Sequence, residues 1–367
     1  MLNNSRLLLN REALQANARV LQEELGAAKL VPVIKDDAYG LGAVSVAEAL
    51  LPCGVDTFAV SQVSEGLELR EAGINAAVWV LSIPLAFQVQ AAAEADLTLT
   101  LADFHQLPVL RAAAEASGKC LPVQLKLETG LHRIGFLPEE LPKLAESLRE
   151  LEPYLRCVGC FSHFYDSVPA HMDAQLARFE DMCARLAALG INPGLRHIAC
   201  SASIEASPRY ALDAARIGRR LYMDSPDRPT GRIRECASYR AWVTDIRLRR
   251  AGDTLGYGDG CPLPEDTRVG VLSVGYGDGL PPALFEKHAP VLIGGKRARL
   301  LACCMDQSFV DVTGLDCAVG DEVTFFGWDA AENLLSAQEV AAFIGANEGC
   351  SLTAALVPRV ARMLDTH

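Results

Sequence analysis

The stretch Val31-Pro-Val-Ile-Lys35-Asp-Asp-Ala-Tyr-Gly-Leu-Gly42 decides how this chain is read. An apolar, β-prone run from Leu30 to Ile34 ends on a lysine, and Asp-Asp-Ala-Tyr-Gly follows as a turn signal. Lys35 is therefore expected at the C-terminal end of a first strand, where a parallel barrel keeps its chemistry. Burial there disfavours the ammonium and frees the amine, which covalent attachment of an aldehyde cofactor requires. A strand-end lysine that only extends its ammonium to water fits the same residues.

Working outward, β-like runs recur between helical stretches up to about residue 225. The runs are Leu30–Ile34, Thr57–Val60, Val78–Leu81, Leu97–Leu101, Pro122–Leu127, Leu155–Phe161, Leu195–Ala199 and Asp213–Ile217. Glu12–Leu25 has helical spacing, with Leu14, Leu21 and Leu25 on one face. Eight strand-helix units with no G-x-G-x-x-G turn predict a (β/α)8 TIM barrel over residues 1–228 rather than an open doubly wound sheet. Beyond residue 230 the pattern changes. Ala237–Leu248, Arg268–Ser273, Arg297–Cys304, Phe309–Val312 and Glu322–Phe326 read as strands between Gly, Pro and Asp turns, and Ser336-x-x-Glu339 opens a helix through Ile344. The expectation is a β-rich C-terminal domain over 229–367, with Ser225–Gly231 as the linker.

A length of 367 residues with 50% hydrophobic content supports two cores. A formal net charge of -12 argues against nucleic acid or an anionic membrane as partner, because both require a basic face. No apolar run reaches the roughly 18 residues of a membrane span, and Met-Leu-Asn-Asn-Ser-Arg is not the start of a secretory signal. A cytoplasmic enzyme is expected. Twelve cysteines give no disulfide framework, and Cys157-x-x-Cys160 lacks the second pair or spaced histidine that a zinc site needs, so no metal is expected. Cys303 and Cys304 read as neighbours on opposite faces of one strand.

Polar residues collect at the strand ends. Lys35 and Tyr39 follow the first strand, Arg133 the fifth, His163 the sixth and Ser201 the seventh, while Arg216 and Gly218 close the eighth. A serine after strand seven and a glycine after strand eight are where many barrels cradle a phosphate, and with a strand-end lysine they point to pyridoxal 5'-phosphate.

VIKDDAYGLG, KLETGLHRIGF, HIACSAS, ARIGRRLY, GYGDG, CCMDQ and VGDEVTFFG occur in the order seen in alanine racemases, which the chain resembles over nearly its whole length. The resemblance implies a pyridoxal phosphate barrel followed by a β domain. It also implies a head-to-tail homodimer whose C-terminal domains complete each other's sites, and an activity interconverting L- and D-alanine for peptidoglycan. Lys35 matches the lysine that binds the cofactor and carries one proton; Tyr257 matches the second base, contributed by the opposite subunit. Arg216 matches the arginine facing the pyridine nitrogen, His163 the histidine between it and the tyrosine, and Arg133 the arginine on the phenolic oxygen. Tyr39, Ser201, Gly218 and the Arg219 backbone match the phosphate site. Met305 and Asp306 match residues that meet the substrate carboxylate, Tyr276 matches a tyrosine that lines the entrance, and Lys126 matches a lysine that is often carbamylated.

The chain departs from the family near the entrance. Asn347 stands where a tyrosine is usual, as in racemases that accept serine; Ala302 and Pro282 replace arginines, and Glu128 replaces an aspartate. A serine or serine/alanine racemase is therefore the alternative substrate reading. A decarboxylase of the same architecture is the alternative of another class, but its cysteine-containing C-terminal motif and glycine-rich phosphate loop are missing.

Overall fold

The computed structural model describes residues 3–225, 228–258 and 260–365. The chain divides into two compact units, one of Ala18–Ala38 and Val46–Leu221, the other of Met1–Asn17, Tyr39–Ser45 and Tyr222–His367. The first strand of the chain, β1 (Ser5–Asn10), lies in the latter.

Eight parallel strands build the first unit: β2 (Lys29–Pro32), β3 (Thr57–Val60), β4 (Ala77–Val80), β5 (Thr98–Leu101), β6 (Leu121–Lys126), β7 (Leu155–Phe161), β8 (Leu195–His197) and β9 (Ala214–Ile217). Strands β3 to β8 pair in order and β9 pairs with β2. A bridge between Val33 and Ala59 joins β2 to β3. The Arg216 N–H, which donates to Ala199 O at 3.1 Å, joins β9 to the chain after β8. The ring is thereby closed, and these are the strands that the alternation predicts. Strand β8 stops at His197 instead of Ala199, because the next carbonyls turn inward and the Arg216 guanidinium takes those of His197 and Ile198. The helix Arg11–Leu25 buries Leu14, Leu21 and Leu25, as its spacing requires.

The second unit is a nine-stranded sheet formed by β1 with β10 (Ala237–Arg249), β13 (Thr267–Leu272), β14 (Pro290–Ile293), β15 (Lys296–Cys303), β16 (Ser308–Asp311), β17 (Glu322–Trp328), β18 (Leu334–Leu335) and β19 (Ala361–Asp365). The short hairpin β11 (Thr254–Leu255) and β12 (Cys261–Pro262) is separate. Strand order is β18-β17-β14-β15-β16-β13-β10-β1-β19, and β17 also pairs with β10, so six of the strands close on themselves. Strand β10 can reach several partners because its pairing shifts between Val243 and Asp245, a bulge that bends the strand. Ser336 caps the helix Ala337–Ile344, its side chain accepting the Glu339 N–H at 3.0 Å.

Strand β1 is not among the predicted strands. Leu7 lies opposite Tyr239 on β10 and Arg362 on β19, partners so distant in sequence that six residues of Ser-Arg-Leu-Leu-Leu-Asn carry no local sign of them. Of the expected linker, Pro226 and Asp227 lie outside the described residues. The Asp224 carboxylate gathers the N–H groups of Ser225, Thr230 and Gly231 at 2.8–2.9 Å. Among the described residues no helix is long and apolar enough to cross a membrane.

Leu7 is 1% exposed between β10 and β19. Leu7→Ala is expected to destabilise the protein by about 2–5 kcal/mol in equilibrium denaturation. A loss below about 1 kcal/mol would contradict an N-terminal strand buried in that sheet.

Candidate active site

Lys35 opens a six-residue helical turn, Lys35–Gly40, and its backbone is unusual. Asp36, Asp37, Ala38 and Tyr39 all have φ between 53° and 58°, a single turn of left-handed helix. Left-handed geometry costs L-residues roughly 1–2 kcal/mol each, so something must hold it. The Ala38 N–H donates to Ile34 O at 3.0 Å. The Glu65 carboxylate takes the Asp36 N–H on one oxygen, and on the other it takes the N–H groups of Ser61 (2.7 Å) and Gln62 (2.8 Å). Glu65 therefore ties the turn to the loop after β3. Gly40 ends the turn at φ 82°, where a Cβ would sit 2.1 Å from Thr353 O. The expected desolvation of Lys35 is not found: its side chain is 39% exposed and ion-pairs Asp36 at 3.6 Å, because the turn carries it off the strand toward the mouth.

Inside the ring, inward positions on β6, β8 and β9 carry polar groups: Gln124, Lys126, His197 and Arg216, all buried. The Arg216 guanidinium donates to Ser162 O (2.8 Å), His197 O (3.1 Å) and Ile198 O (3.3 Å), and also to the Nδ1 atoms of His197 and of His163, the latter at 3.3 Å. Burial lowers its pKa to about 10, partly offset by Cys200 and reinforced by Arg133, so it remains a cation near neutrality. His197 is stacked between Trp79 and Phe161, with ring centroids 4.7 and 5.3 Å away, and its Nε2 faces Gln124 Oε1. Both imidazoles accept from Arg216 through Nδ1, which puts their ring protons on Nε2.

Four cations bear on His163. Burial first, then Arg216, Arg133, Lys126 and Lys35, push its pKa down to about 3, so it is neutral. Lys126, 1% exposed, donates to Leu127 O at 3.0 Å and to Ser162 Oγ at 3.4 Å, and its ammonium lies 5.6 Å from the Phe161 ring centre. Burial brings its pKa to about 8, with Glu128 opposing and Arg216 and Arg133 adding. A minor but real fraction of the amine is thus unprotonated at neutral pH. Arg133 is exposed in the loop after β6.

Ser201 begins the helix Ser201–Ala206, and its hydroxyl accepts from the Arg220 N–H at 3.5 Å. Gly218 follows β9 and Arg219 opens the turn Arg219–Leu221, with the Arg219 side chain drawn away to Glu205 at 2.7 Å. These two segments present backbone N–H groups and a hydroxyl at one place, a donor set suited to a phosphate. The first unit thus brings together Lys35, Lys126, Arg133, His163 and Arg216, with Ser201, Gly218 and Arg219 in the two loops beyond β8 and β9.

In the second unit Tyr39 packs on Tyr222, ring centres 5.7 Å apart. Tyr257 occupies the turn of the β11–β12 hairpin and is 69% exposed; Asp259 of that motif lies outside the described residues. Tyr276 begins the turn Tyr276–Asp278. That turn is fastened to the CCMDQ turn: the Tyr276 N–H donates to Cys304 O (3.2 Å) and the Gly277 N–H to Met305 O (2.8 Å). Arg359 spans both turns, reaching Asp278 at 2.7 Å and Asp306 at 2.8 Å. Asn347 is exposed in the loop after the helix Ala337–Ile344, where its carbonyl accepts from Gln338 Nε2 at 3.2 Å. Glu65, Gln124, Ser162, His197, Cys304 and Arg359 were not among the residues expected from sequence. Only His197 carried a local sign, since it alternates with Ala199 and Ser201 in HIACSAS.

Residues 9–226 match the sequence profile described as alanine racemase, N-terminal domain, and residues 236–364 that of its C-terminal domain. The chain is 34% identical over 333 residues to alanine racemase 2 of Caldanaerobacter subterraneus, covering 88% of this chain and 85% of that one. It is 34% identical over 352 residues to the alanine racemase of Desulforamulus reducens, covering 92% of each. Among solved structures, the alanine racemase of Streptomyces coelicolor superposes with a TM-score of 0.91 at 29% identity, over 99% of this chain and 98% of that one. The Bacillus anthracis enzyme with bound L-Ala-P superposes with a TM-score of 0.92 at 25% identity, over 100% and 96%. With both halves of the chain matched in order by the two domain profiles and relatives at 34% identity covering most of its length, the chain belongs to the alanine racemase family.

Proposed function

We propose that this chain is a pyridoxal phosphate-dependent isomerase that interconverts L- and D-alanine, with Lys35 and Tyr257 as its two proton carriers. The observation that carries the reading is the convergence of Lys35, Lys126, Arg133 and Arg216 on one neutral histidine at the barrel mouth. Such a site suits a dianionic, electron-rich ligand. When bound, pyridoxal phosphate withdraws electrons from the amino-acid Cα and so loosens its α-proton.

The residues present fit that group. Lys35 would hold it covalently, the Ser201 hydroxyl with the Gly218 and Arg219 N–H groups and the Tyr39 hydroxyl would take its phosphate, and Arg133 its phenolic oxygen. Arg216 would lie toward the pyridine nitrogen as a fixed cation, which would disfavour protonation of that nitrogen and restrain side reactions. The neutral His163, protonated on Nε2, has a donor to offer a phenolic oxygen. Racemisation needs a proton to leave one face of Cα and return to the other, so the amine of Lys35 and the hydroxyl of Tyr257 serve opposite faces. We place Tyr257, Met305, Asp306 and Tyr276 of one copy at the mouth of a second copy in a head-to-tail dimer, with residues 229–367 completing the site that residues 1–228 bind around. Met305 and Asp306 receive the substrate carboxylate. Lys126, buried and partly unprotonated, is fit to add carbon dioxide; the carbamate would be an anion able to hold Arg133.

Borohydride reduction of the purified holoenzyme, followed by peptide mapping, is expected to leave the pyridoxyl group on Lys35. A label on another lysine would overturn the assignment.

Tyr257→Phe removes only the hydroxyl and is expected to lower turnover roughly 100- to 10,000-fold in both directions while the cofactor stays bound. Solvent deuterium should then enter the D-enantiomer through Lys35 but no longer the L-enantiomer. Mixing Tyr257→Phe with Lys35→Ala chains should restore activity, since one mixed site would hold both native groups. Near-normal turnover of Tyr257→Phe would end the two-base reading, and no rescue after verified subunit exchange would end the sharing of sites.

Asn347 supports a second substrate. An amide at the entrance can hydrogen-bond a side-chain hydroxyl for about 0.5–1.5 kcal/mol, enough to turn tolerance of serine into use. Serine racemisation alongside alanine is expected, and Asn347→Tyr should shift the ratio of catalytic efficiencies toward alanine by up to about tenfold. An unchanged ratio would remove Asn347 from specificity.

A further inference from the structure

The CCMDQ turn and Tyr257 line one cleft of about 430 Å³, and among the described residues that line it Asp306 is the charged one. An aspartate is an odd neighbour for an arriving amino-acid carboxylate. Its side chain is 62% exposed, and left uncompensated its charge would repel a second anion at the same turn. Compensation comes from the adjoining cleft of about 240 Å³, where the Arg359 Nη1 lies 2.8 Å from the Asp306 carboxylate.

Arg359 is fixed in this place. Its Nε donates to Asp278 Oδ1 at 2.7 Å, and that buried carboxylate accepts the Gly275 N–H on its other oxygen at 2.9 Å. Asp278 is thus met from two directions, and Nη1 is left for Asp306. The segment that carries Arg359 is tied down as well, since the Val357 N–H donates to Asp278 O at 3.2 Å. Glycine at 277 and 279 lets the parts meet: a Cβ on Gly277 would sit 2.9 Å from Met305 O and 3.1 Å from Arg359 Nη2, and one on Gly279 would sit 2.0 Å from Ala355 O. As a source of folding stability the Asp306 arm counts for little, because exposed ion pairs are screened by water. Its effect falls on the local charge.

We propose that Arg359 is a positioning residue for the substrate: by pairing with Asp306 it cancels the one anion on the turn that receives the substrate carboxylate, and so makes an acidic turn fit to admit one. The inference rests on the reading that Met305 and Asp306 receive that carboxylate, and it names a residue that acts through them. Both enantiomers carry the same carboxylate, and its charge does not change while the α-proton moves. Ground state and transition state therefore feel Asp306 alike, so loss of its partner weakens binding without slowing the bound substrate.

The test is steady-state kinetics of the holoenzyme with L- and D-alanine, comparing wild type with Arg359→Gln, Asp306→Asn and the double variant. Arg359→Gln exposes the Asp306 charge and is expected to raise KM roughly tenfold in both directions with kcat little changed. The rise should shrink as ionic strength is increased, since the repulsion is screened. In the double variant the exposed charge is gone, and KM should return toward the wild-type value even though Asp278 still lacks its guanidinium. A double variant with KM as high as that of Arg359→Gln would overturn the inference, because Arg359 would then act by bracing the turns through Asp278; an unchanged KM in Arg359→Gln would overturn it too. Should Arg359→Gln yield no folded holoenzyme, Asp306→Asn alone decides: it leaves the guanidinium in excess and is expected to lower KM, and a KM at or above that of wild type would end the inference. Failure of the underlying reading looks different. Tyr257→Phe and Lys35→Ala chains would then show no rescue on mixing, whereas rescue with an unmoved KM in Arg359→Gln would strike Arg359 alone.

Discussion

A guanidinium enclosed by strands loses its water, and taking such a charge into a protein interior costs several kcal/mol unless the surroundings replace that water with acceptors. Arg216 meets this condition with three carbonyls and two imidazole nitrogens. The carbonyls are those of Ser162, His197 and Ile198, at the ends of β7 and β8, so the same contacts that solvate the charge decide where those strands stop. The imidazoles are constrained as well. Each accepts through Nδ1 and must carry its proton on Nε2, which in His197 points to Gln124 and in His163 is a donor at the barrel mouth. The ring centre of Phe161 lies 5.4 Å from Arg216 and 5.6 Å from Lys126, so one aromatic ring adds to the stabilisation of two buried cations.

Lys35 is presented differently. Its mobility is restrained by a backbone conformation that L-residues avoid, and Glu65 and Gly40 hold that conformation in place. Strain of this kind is maintained where a side chain must be aimed more accurately than a relaxed strand end allows. The partial exposure of Lys35 follows from the same turn, which leaves the amine open while its root is rigid.

The second unit solves a related problem at a surface. Tyr257 sits on a two-stranded hairpin, an element with little stability of its own. The CCMDQ turn, which lines the same cleft as Tyr257, is braced by Tyr276, Gly277 and Arg359. Two short turns far apart in sequence, GYGD at 275–278 and CCMDQ at 303–307, thus behave as one support. Arg359 makes the link because its fork reaches a carboxylate on each.

The eight barrel strands, the change to β structure after residue 230 and the helix capped by Ser336 were legible in the sequence, because alternation, helical spacing and turn residues are local signals. The candidate residues Lys35, His163, Ser201, Arg216 and Gly218 were legible for a related reason: polar residues directly after apolar strands stand out, and their order resembled that of a known family. Strand β1 could not be read, since its partners lie on β10 and β19 more than 200 residues away. Neither could Glu65, Gln124 or Ser162 as supports of the site, because a carboxylate, an amide and a hydroxyl in ordinary helix and strand positions gain meaning only from what folding places opposite them. The left-handed turn after Lys35 was equally hidden, as Asp-Asp-Ala-Tyr favours no such geometry and it persists only through tertiary contacts. By itself, then, the sequence determined the kinds of element and the chemical groups at their ends. The tertiary structure decided the protonation of His163, the burial of Lys126, the partial exposure of Lys35 and the bracing of two turns by Arg359, because desolvation, charge proximity and hydrogen-bond direction exist only between groups that folding has brought together.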